Sequence, residues 1–505
     1  MAELTLRERS VKGHRGPRLQ PLDVPAEGAE RFLPRERLRG EAPGLPEISE
    51  PAVVRHFVNL SVLNHHIDKA IYPLGSCTMK YNPKLNDEMA QLPGLQALHP
   101  FQSEDLSQGA LAVIGELHEW LKAIMGMPAI TTQPAAGAQC ELTAILMARA
   151  YHQARGNPRE EVIVPDSAHG TNPSTVNQVG YRAVTVPSGP DGCVDLKALR
   201  EEVSDKTAAL MLTNPNTLGI FERQVGEIAR IVHDAGALLY LDGANLNALV
   251  GLASPGAMGF DFAHINLHKT FSTPHGGGGP GGGVLCVREE LAPFLPTPVL
   301  ERTGERYSWN YDRPRSIGRV HSYYGNFGML VRALCYVKSL GASGLAEVSR
   351  EAILNANYLK ARLREAYTPS HEGYCMHEFV LSASKQKARG VRALDIAKRI
   401  LDFGMHAPTT YFPLIVDEAL MVEPTETETK ETLDAFVDAM LAIAREAREQ
   451  PELLKEAPHV RPVKRLDEVR AAKQPVVRYT FGERDEPEQR EAPGEARQLE
   501  AQKGA

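Results

Sequence analysis

Residues 237–269 read ALLYLDGANLNALVGLASPGAMGFDFAHINLHK. Two apolar runs, ALLYL (237–241) and AHINL (263–267), are each succeeded at once by polar residues, Asp242 after the first and His268-Lys269 after the second. Short apolar runs bounded by turn residues read as strands buried on both faces. The same pattern recurs at EVIVP (161–165), YRAVTV (181–186), AALMLT (208–213) and GVLCV (283–287). Between two of these, VGEIARIVHDAG places Val225, Ile228, Ala229 and Val232 on one helical face and stops at Gly236, a C-terminal cap. Strands alternating with helices predict an α/β fold around a large, mainly parallel sheet covered on both sides. In such sheets ligands bind beyond the carboxyl ends of the strands, which is where Asp242 and Lys269 fall.

The 505 residues carry a formal net charge of −7, with 43% hydrophobic and 24% charged residues, an ordinary globular composition. No basic field is present to hold a nucleic-acid backbone. Six scattered cysteines form no CxxC pair and no metal-ligand spacing, which fits a reduced, cytoplasmic setting and no metal centre. The N-terminus lacks the apolar stretch of a secretory signal, and no run approaches the ~20 apolar residues of a membrane helix. Four segments are expected. Residues 1–60 form an extended arm, 61–330 a large ligand-binding domain, 331–450 a smaller C-terminal α/β domain, and 451–505 a charged tail whose last twenty or so residues are mobile. In the smaller domain, helical stretches flank a strand at HEFVLSA (377–383).

The residues just past each strand suggest chemistry. A carboxylate at the end of a buried strand is costly without a cationic partner, so Asp242 is either a helix cap or the mate of a charged group. His169 lies in the turn DSAHGTNP after EVIVP. Upstream, TTQPAAGAQCELTAILMARAYH opens from small residues onto a helix beginning near Gln139 or Cys140, whose free N–H groups suit an anion. Lys269 precedes seven glycines, the run HGGGGPGGG. A phosphate-binding P-loop needs its glycines before the lysine, so that reading fails. A covalent lysine, a carboxylate for a pyridinium nitrogen, a helix N-terminus for a phosphate and a flat cover for a ring together match the needs of pyridoxal phosphate. The glycines either shape a mobile rim or make a tight turn.

The stretches YPLGSCTMKYNP (72–83), LHPFQ (98–102), QPAAGAQ (133–139), AHGTNP (168–173), LDGANLNA (241–248), NLHKTFSTPHGGGGPG (266–281), HEFVL (377–381), GMHAPTTYFP (404–413) and LMVEPTETET (420–429) together resemble the glycine-cleavage P-protein family, pyridoxal-phosphate-dependent glycine decarboxylases. The resemblance runs from about residue 60 to 450. It implies a fold-type-I, aspartate-aminotransferase-like architecture. It also implies the second subunit of the family's split form, with a companion subunit resembling the missing N-terminal half in an α2β2 assembly. The activity implied is decarboxylation of glycine, with transfer of the aminomethyl group to the lipoyl arm of an H-protein.

Residue by residue, the resemblance implies pyridoxal phosphate held covalently on Lys269 and Asp242 at the ring nitrogen. His169 would stack on the ring face, Ala244 lie against the ring, and the turn Ala136, Gly137, Ala138 and Gln139 take the phosphate with help from His268. His99, His406 and Thr410 are candidates for the substrate pocket. The family more often has Asn-Ser where this chain has Ala135-Ala136, and Gly at Cys140, which shifts phosphate binding to backbone N–H groups. Two other readings stay open. One is a different fold-type-I enzyme, such as a β-hydroxy amino acid aldolase or a cysteine desulfurase using Cys77. The other is a non-catalytic scaffold subunit.

Overall fold

The computed structural model describes residues 3–477 apart from 18, 19, 22, 42 and 277–280. Residues 66–459 form one compact body, and the described parts of 1–65 and 460–477 belong to a second. The second body contains a helix at Glu50–Leu63, so the segment expected to be an extended arm to residue 60 is helical in its last part. Pro51 in its first turn suits a helix start, because the missing N–H is one that would find no partner there. The tail expected to be mobile lies mostly outside the described residues. Among the described residues no helix is long and apolar enough to cross a membrane.

The large body is built on seven strands: β1 (Ala129–Thr131), β2 (Glu161–Pro165), β3 (Arg182–Val186), β4 (Thr207–Thr213), β5 (Leu238–Asp242), β6 (Phe262–Asn266) and β7 (Gly283–Val287). Their order is β1-β7-β6-β5-β4-β2-β3. Strands β2 to β6 pair in parallel, and β7 runs antiparallel to both neighbours. Every apolar run singled out in the sequence is one of these strands. Successive side chains of one strand fill opposite layers: Leu239 and Leu241 pack into one core cluster, Leu238 and Tyr240 into the other. Each such leucine, removed from water, contributes about 2 kcal/mol. That two-sided burial is why the strands read as continuous apolar runs rather than alternating ones.

The helix Val225–Asp234 ends as expected, with Gly236 at φ +69° just beyond it. The helix Gly137–Ala154 begins two to three residues earlier than the sequence suggests. Beyond β7 comes a hairpin that the periodicity does not show, β8 (Val299–Thr303) with β9 (Arg306–Asn310). A long helical segment, Phe327–Leu363, breaks at Gly341, where φ is +63°. It leads to a four-stranded antiparallel sheet of β10 (Thr368–Pro369), β11 (Phe379–Ser382), β12 (Thr409–Thr410) and β13 (Ala419–Val422), in the order β10-β11-β13-β12. The helices Ala393–Ile400 and Lys430–Glu449 cover it around their own core, which includes Phe379, Leu420, Phe436 and Met440. This is the smaller C-terminal domain.

Candidate active site

Because β1, β2, β4, β5 and β6 all point the same way, their carboxyl ends share one edge of the sheet. Asp242 closes β5 and is buried. Its Oδ1 accepts the Ala244 N–H at 3.0 Å, and its Oδ2 accepts from the Asn172 side chain at 3.3 Å. The His264 ring lies 3.5 Å away, from the neighbouring strand β6. Gly243 allows this approach: a Cβ there would stand 1.9 Å from the His264 carbonyl oxygen. Asp242 is thus both a cap for the turn at Gly243–Ala248 and a carboxylate held in place for a further partner. Ala244 comes next but one on that turn.

Lys269 sits just beyond β6, in the short helical turn Leu267–Thr270. Its Nζ donates to the Ser76 carbonyl at 2.7 Å. Around it, Thr270 Oγ1, Thr273 Oγ1 and His275 Nε2 are buried without partners. Burial pushes the His275 imidazole down to about 4, with Lys269 adding to the effect.

The 18-residue helix Gly137–Ala154 starts at the same edge. Ala136 is its extended N-cap and has no side-chain hydrogen bond to offer, so the N–H groups of Gly137, Ala138 and Gln139 have no partner within the helix. They face the region where a helix dipole favours an anion. The Ala135 N–H is already taken by Gln139 Oε1 at 2.6 Å, while Gln139 Nε2 donates to the Val320 carbonyl at 2.7 Å. Gln139 therefore contributes through its backbone. Gly137 and Gly283 make the junction possible, since a Cβ on Gly137 would meet the Asn266 amide at 2.6 Å and one on Gly283 the Ala136 carbonyl oxygen at 2.6 Å.

His268, next to the lysine, is tied into the sheet edge. Its Nδ1 accepts the Gly282 N–H at 3.2 Å, and the Asn266 amide lies 3.2 Å from its Nε2. Burial, reinforced by His275 and Lys269, pushes it down to about 3. Both ring nitrogens thus face groups of the sheet edge, Gly282 on β7's side and Asn266 at the end of β6. Gly281 and Gly282 pack against His268 and against Leu267 so closely that a Cβ would stand 2.0 and 2.8 Å from their side chains. These two glycines serve close packing, while 277–280 lie outside the described residues.

His169 is exposed at the mouth, after β2, with its Nδ1 turned to Thr171 and its ring edge-on to Phe412 at 5.6 Å. Of the three pocket candidates, His406 stacks on Tyr72 at 4.0 Å and directs Nδ1 to the Ala407 carbonyl. His99 is exposed beside an apolar cavity of about 410 Å³ that also touches Ala135, Trp309 and Phe327. Thr410 alternates with Thr409 along β12. It is the Thr409 hydroxyl that reaches the site, donating to the Gly75 carbonyl at 2.8 Å.

Several residues at the site carry no signal that singles them out in the sequence. Glu141, one turn into the phosphate-facing helix, is buried and accepts from Thr171 and Thr175. Burial and the nearby Asp242 push its carboxyl up to about 8. Glu378 and Glu423 lie on the other side of Lys269, together with His377. The turn Gly75–Thr78 runs between them and the lysine, with Ser76 and Thr78 both at positive φ. Cys77 within that turn is pushed up to about 11 by burial, with Glu423 and Glu378 raising it and Lys269 opposing them. A catalytic thiol needs the opposite shift.

The sheet order, the lysine after β6, the carboxylate after β5 and the helix N-terminus define a fold-type-I pyridoxal-phosphate enzyme. The aminotransferase class-V family matches residues 105–364, and the C-terminal domain of glycine dehydrogenase matches residues 348–459. The chain is 56% identical over 473 residues to a Bacillus velezensis protein named "Probable glycine dehydrogenase (decarboxylating) subunit 2", covering 94% of this chain and 96% of that one. A protein of the same name from Caldanaerobacter subterraneus is 55% identical over 94% of this chain and 98% of its own. The chain belongs to the glycine dehydrogenase (decarboxylating) subunit 2 family, and the subunit number implies a companion subunit 1. Among solved structures, an inhibitor-bound glycine decarboxylase (P-protein) of the glycine cleavage system superposes with a TM-score of 0.69 at 23% identity, covering 82% of this chain and 94% of that one. A cysteine desulfurase from Thermococcus onnurineus gives 0.58 at 16%, covering 75% and 95%. At those identities the likeness is one of fold.

Proposed function

We propose that this chain is the lysine-bearing subunit of a cytoplasmic glycine decarboxylase of the glycine cleavage system. It acts with a subunit 1 in an α2β2 assembly and passes the aminomethyl group of glycine to the lipoyl arm of an H-protein while carbon dioxide leaves. The observation that carries this reading is the convergence of Lys269, Asp242 and the Gly137–Gln139 N–H groups on one sheet edge. The residues present fit pyridoxal phosphate. The orphaned buried donors Thr270 and Thr273 flank the lysine, and glycines clear the junction at Ala136. When bound, that cofactor supplies an aldehyde for amines and a cationic ring that withdraws electrons from the substrate carbon.

The chain's own groups do the rest. Lys269 would hold the aldehyde, and its Nζ, which donates to the Ser76 carbonyl, would carry protons. Asp242 holds a proton on the ring nitrogen, its own orientation locked by Ala244 and Asn172. The helix N–H groups would hold the phosphate, and His169 and Ala244 would lie against the ring. Glu141, raised to about 8, stays protonated at neutral pH and spares Asp242 a second adjacent negative charge. The raised Cys77 thiol argues against a desulfurase. A purely scaffolding subunit would have no use for a lysine and a strand-end carboxylate placed together.

The test is exchange of labelled bicarbonate into glycine by the complex of this chain, subunit 1 and lipoylated H-protein. Lys269→Ala is expected to lower exchange by at least about 10³-fold and to abolish the visible absorbance that borohydride bleaches in the unsubstituted complex. Retained exchange in that variant sinks the proposal.

A further inference from the structure

The antiparallel register of β11 and β13 pairs Phe379 with Val422, and one step further it sets Glu378 opposite Glu423. Like charges facing each other across a sheet are destabilising. Here both glutamates and the adjacent His377 are at most 1% exposed, and their ligand atoms lie within 4.8 Å of one another. A buried cluster of this kind must have its charge accounted for.

The donors are unevenly shared. Glu423 accepts the Cys77 N–H at 3.2 Å, the Thr78 N–H at 2.8 Å and the Thr78 hydroxyl. Glu378 accepts the Ser76 N–H at 2.7 Å and the Asn245 side chain at 3.2 Å. One peptide group joins the pair to the lysine. The Ser76 carbonyl receives Lys269 Nζ, while the N–H of the same peptide, on Cys77, points to Glu423. Its dipole lies the right way for both charges. Both ring nitrogens of His377 are buried without a partner, and Nε2 is 3.8 Å from Glu423 Oε1, too far for a hydrogen bond.

Among the described residues, the titratable groups facing this cluster are Lys269, Cys77, Glu426 and Cys375, whose thiol burial pushes up to about 12. Glu426 is already matched by Lys80 at 2.7 Å. Burial keeps Cys77 a thiol, and it pushes His377 down to about 3, hence neutral. Two carboxyl groups therefore face one ammonium, leaving one negative charge in excess. One proton removes it. A divalent cation would instead leave the enclosed group with a net positive charge.

We propose that Glu378 and Glu423 hold one proton between them, mainly on Glu378, so that the pair acts as a single negative counter-charge for the Lys269 amine through the Ser76–Cys77 peptide group. Both are positioning residues. The proposal rests on Lys269 being the reactive amine of the site. Burial raises both carboxyls, and Glu378, with two donors against three on Glu423, is the one that takes the proton.

The test uses the full-length chain without cofactor, so it does not depend on decarboxylation. Infrared difference spectroscopy between the unsubstituted protein and Glu378→Gln is expected to show the loss of one protonated carboxylic acid stretch at neutral pH, the Glu141 acid band being common to both. The rate at which trinitrobenzenesulfonate modifies Lys269, monitored by mass spectrometry, reads the counter-charge. Glu378→Gln keeps one negative charge and should alter that rate by less than about two-fold. Glu423→Gln leaves Glu378 to ionise and should behave the same. The double variant removes the counter-charge and should raise the rate about ten-fold, the change given by one unit in an amine's pKa. Absence of any acid band in the unsubstituted protein beyond the one that Glu141→Gln removes overturns the proposal, whether or not the Glu378 variant folds. So does either single variant matching the double, or one tightly held zinc ion per chain that Glu378→Gln releases.

Discussion

Lys269 stands between two buried pairs of carboxyl groups, and the pairs are built differently. Glu141 and Asp242 belong to the large sheet, one on the helix that starts at the phosphate turn and one at the end of β5. Their partners are mostly side chains: Thr171 and Thr175 for the first, Asn172 and His264 for the second, with one backbone N–H, that of Ala244, on Asp242. Glu378 and Glu423 come from the small sheet and are held largely by backbone N–H groups of the strained turn at 75–78. In the proposed function the first pair includes the carboxylate for the ring of the cofactor, while the second is joined to the lysine through the Ser76–Cys77 peptide group. The same residue chemistry thus serves charge on the reacting group in one place and charge on the catalyst in the other.

The largest expected effect separates the two. If Asp242 keeps a ring nitrogen protonated as proposed, Asp242→Asn should lower turnover of the assembled complex by about 10²-fold or more, with cofactor still bound. Glu378→Gln should cost less than about 10-fold, because a glutamine reproduces the protonated acid. Equal losses in steady-state exchange assays would erase the distinction.

Next in size is the rigidity of the edge on which the first pair stands. Gly283 faces Asn266 across β6 and β7, and a methyl there would meet the Ala136 carbonyl oxygen at 2.6 Å and Cys140 Sγ at 2.8 Å. Since most of what it meets is backbone, Gly283→Ala should destabilise by about 1–3 kcal/mol in thermal unfolding. Cofactor affinity should fall with it, because Ala136 caps the phosphate-binding helix.

Both pairs also bear on stability against pH. Glu141 rises from an ordinary 4.5 to about 8 in the folded chain, and Glu378 and Glu423 rise as well. Above pH 4.5 the unfolded chain has released protons that the folded chain still holds, so the contribution of these carboxyls to stability falls as pH climbs towards 8. His268, His275 and His377, held neutral by burial, instead add stability as pH rises towards the ordinary imidazole value of 6.5. Chemical denaturation of the cofactor-free chain between about pH 7 and 8, above that range, should show the falling slope, flatter in Glu141→Gln. A slope unchanged by that substitution would mean that Glu141 ionises freely.

The contrast between the pairs also explains what is legible in the sequence. Asp242 and Lys269 each come directly after an apolar strand, so a local pattern of a few residues exposes them, and parallel strands put both on one edge. The sequence places the start of the phosphate-facing helix two or three residues late because Ala136 caps without a side chain, leaving no capping residue to read. Glu378 and Glu423 lie inside distinctive motifs, HEFVL and LMVEPTETET, yet nothing local gives them a role. Their partners are 302 to 346 residues away in sequence, at Ser76, Cys77 and Thr78. The available signal is the pair of short apolar strands that carry a glutamate at adjoining ends, legible only once their antiparallel register is known.

The smallest expected effect tests how the second pair's turn is held. Strand β12 turns the Thr409 and Thr410 side chains to opposite faces, and the Thr409 hydroxyl donates to the Gly75 carbonyl beside Ser76. Thr409→Val keeps the shape but removes one hydrogen bond to a turn in which Ser76 and Thr78 already sit at φ +63° and +48°. The loss should be about 1 kcal/mol, and modification of Lys269 should change by a few-fold as the Ser76 carbonyl loosens. Thr410→Val should leave that rate alone. If Thr410→Val is the more damaging to lysine reactivity, residue 410 belongs to the site and the turn is not anchored through residue 409. Similar small effects from both would place the anchoring of the turn in its bonds to Glu378 and Glu423 alone.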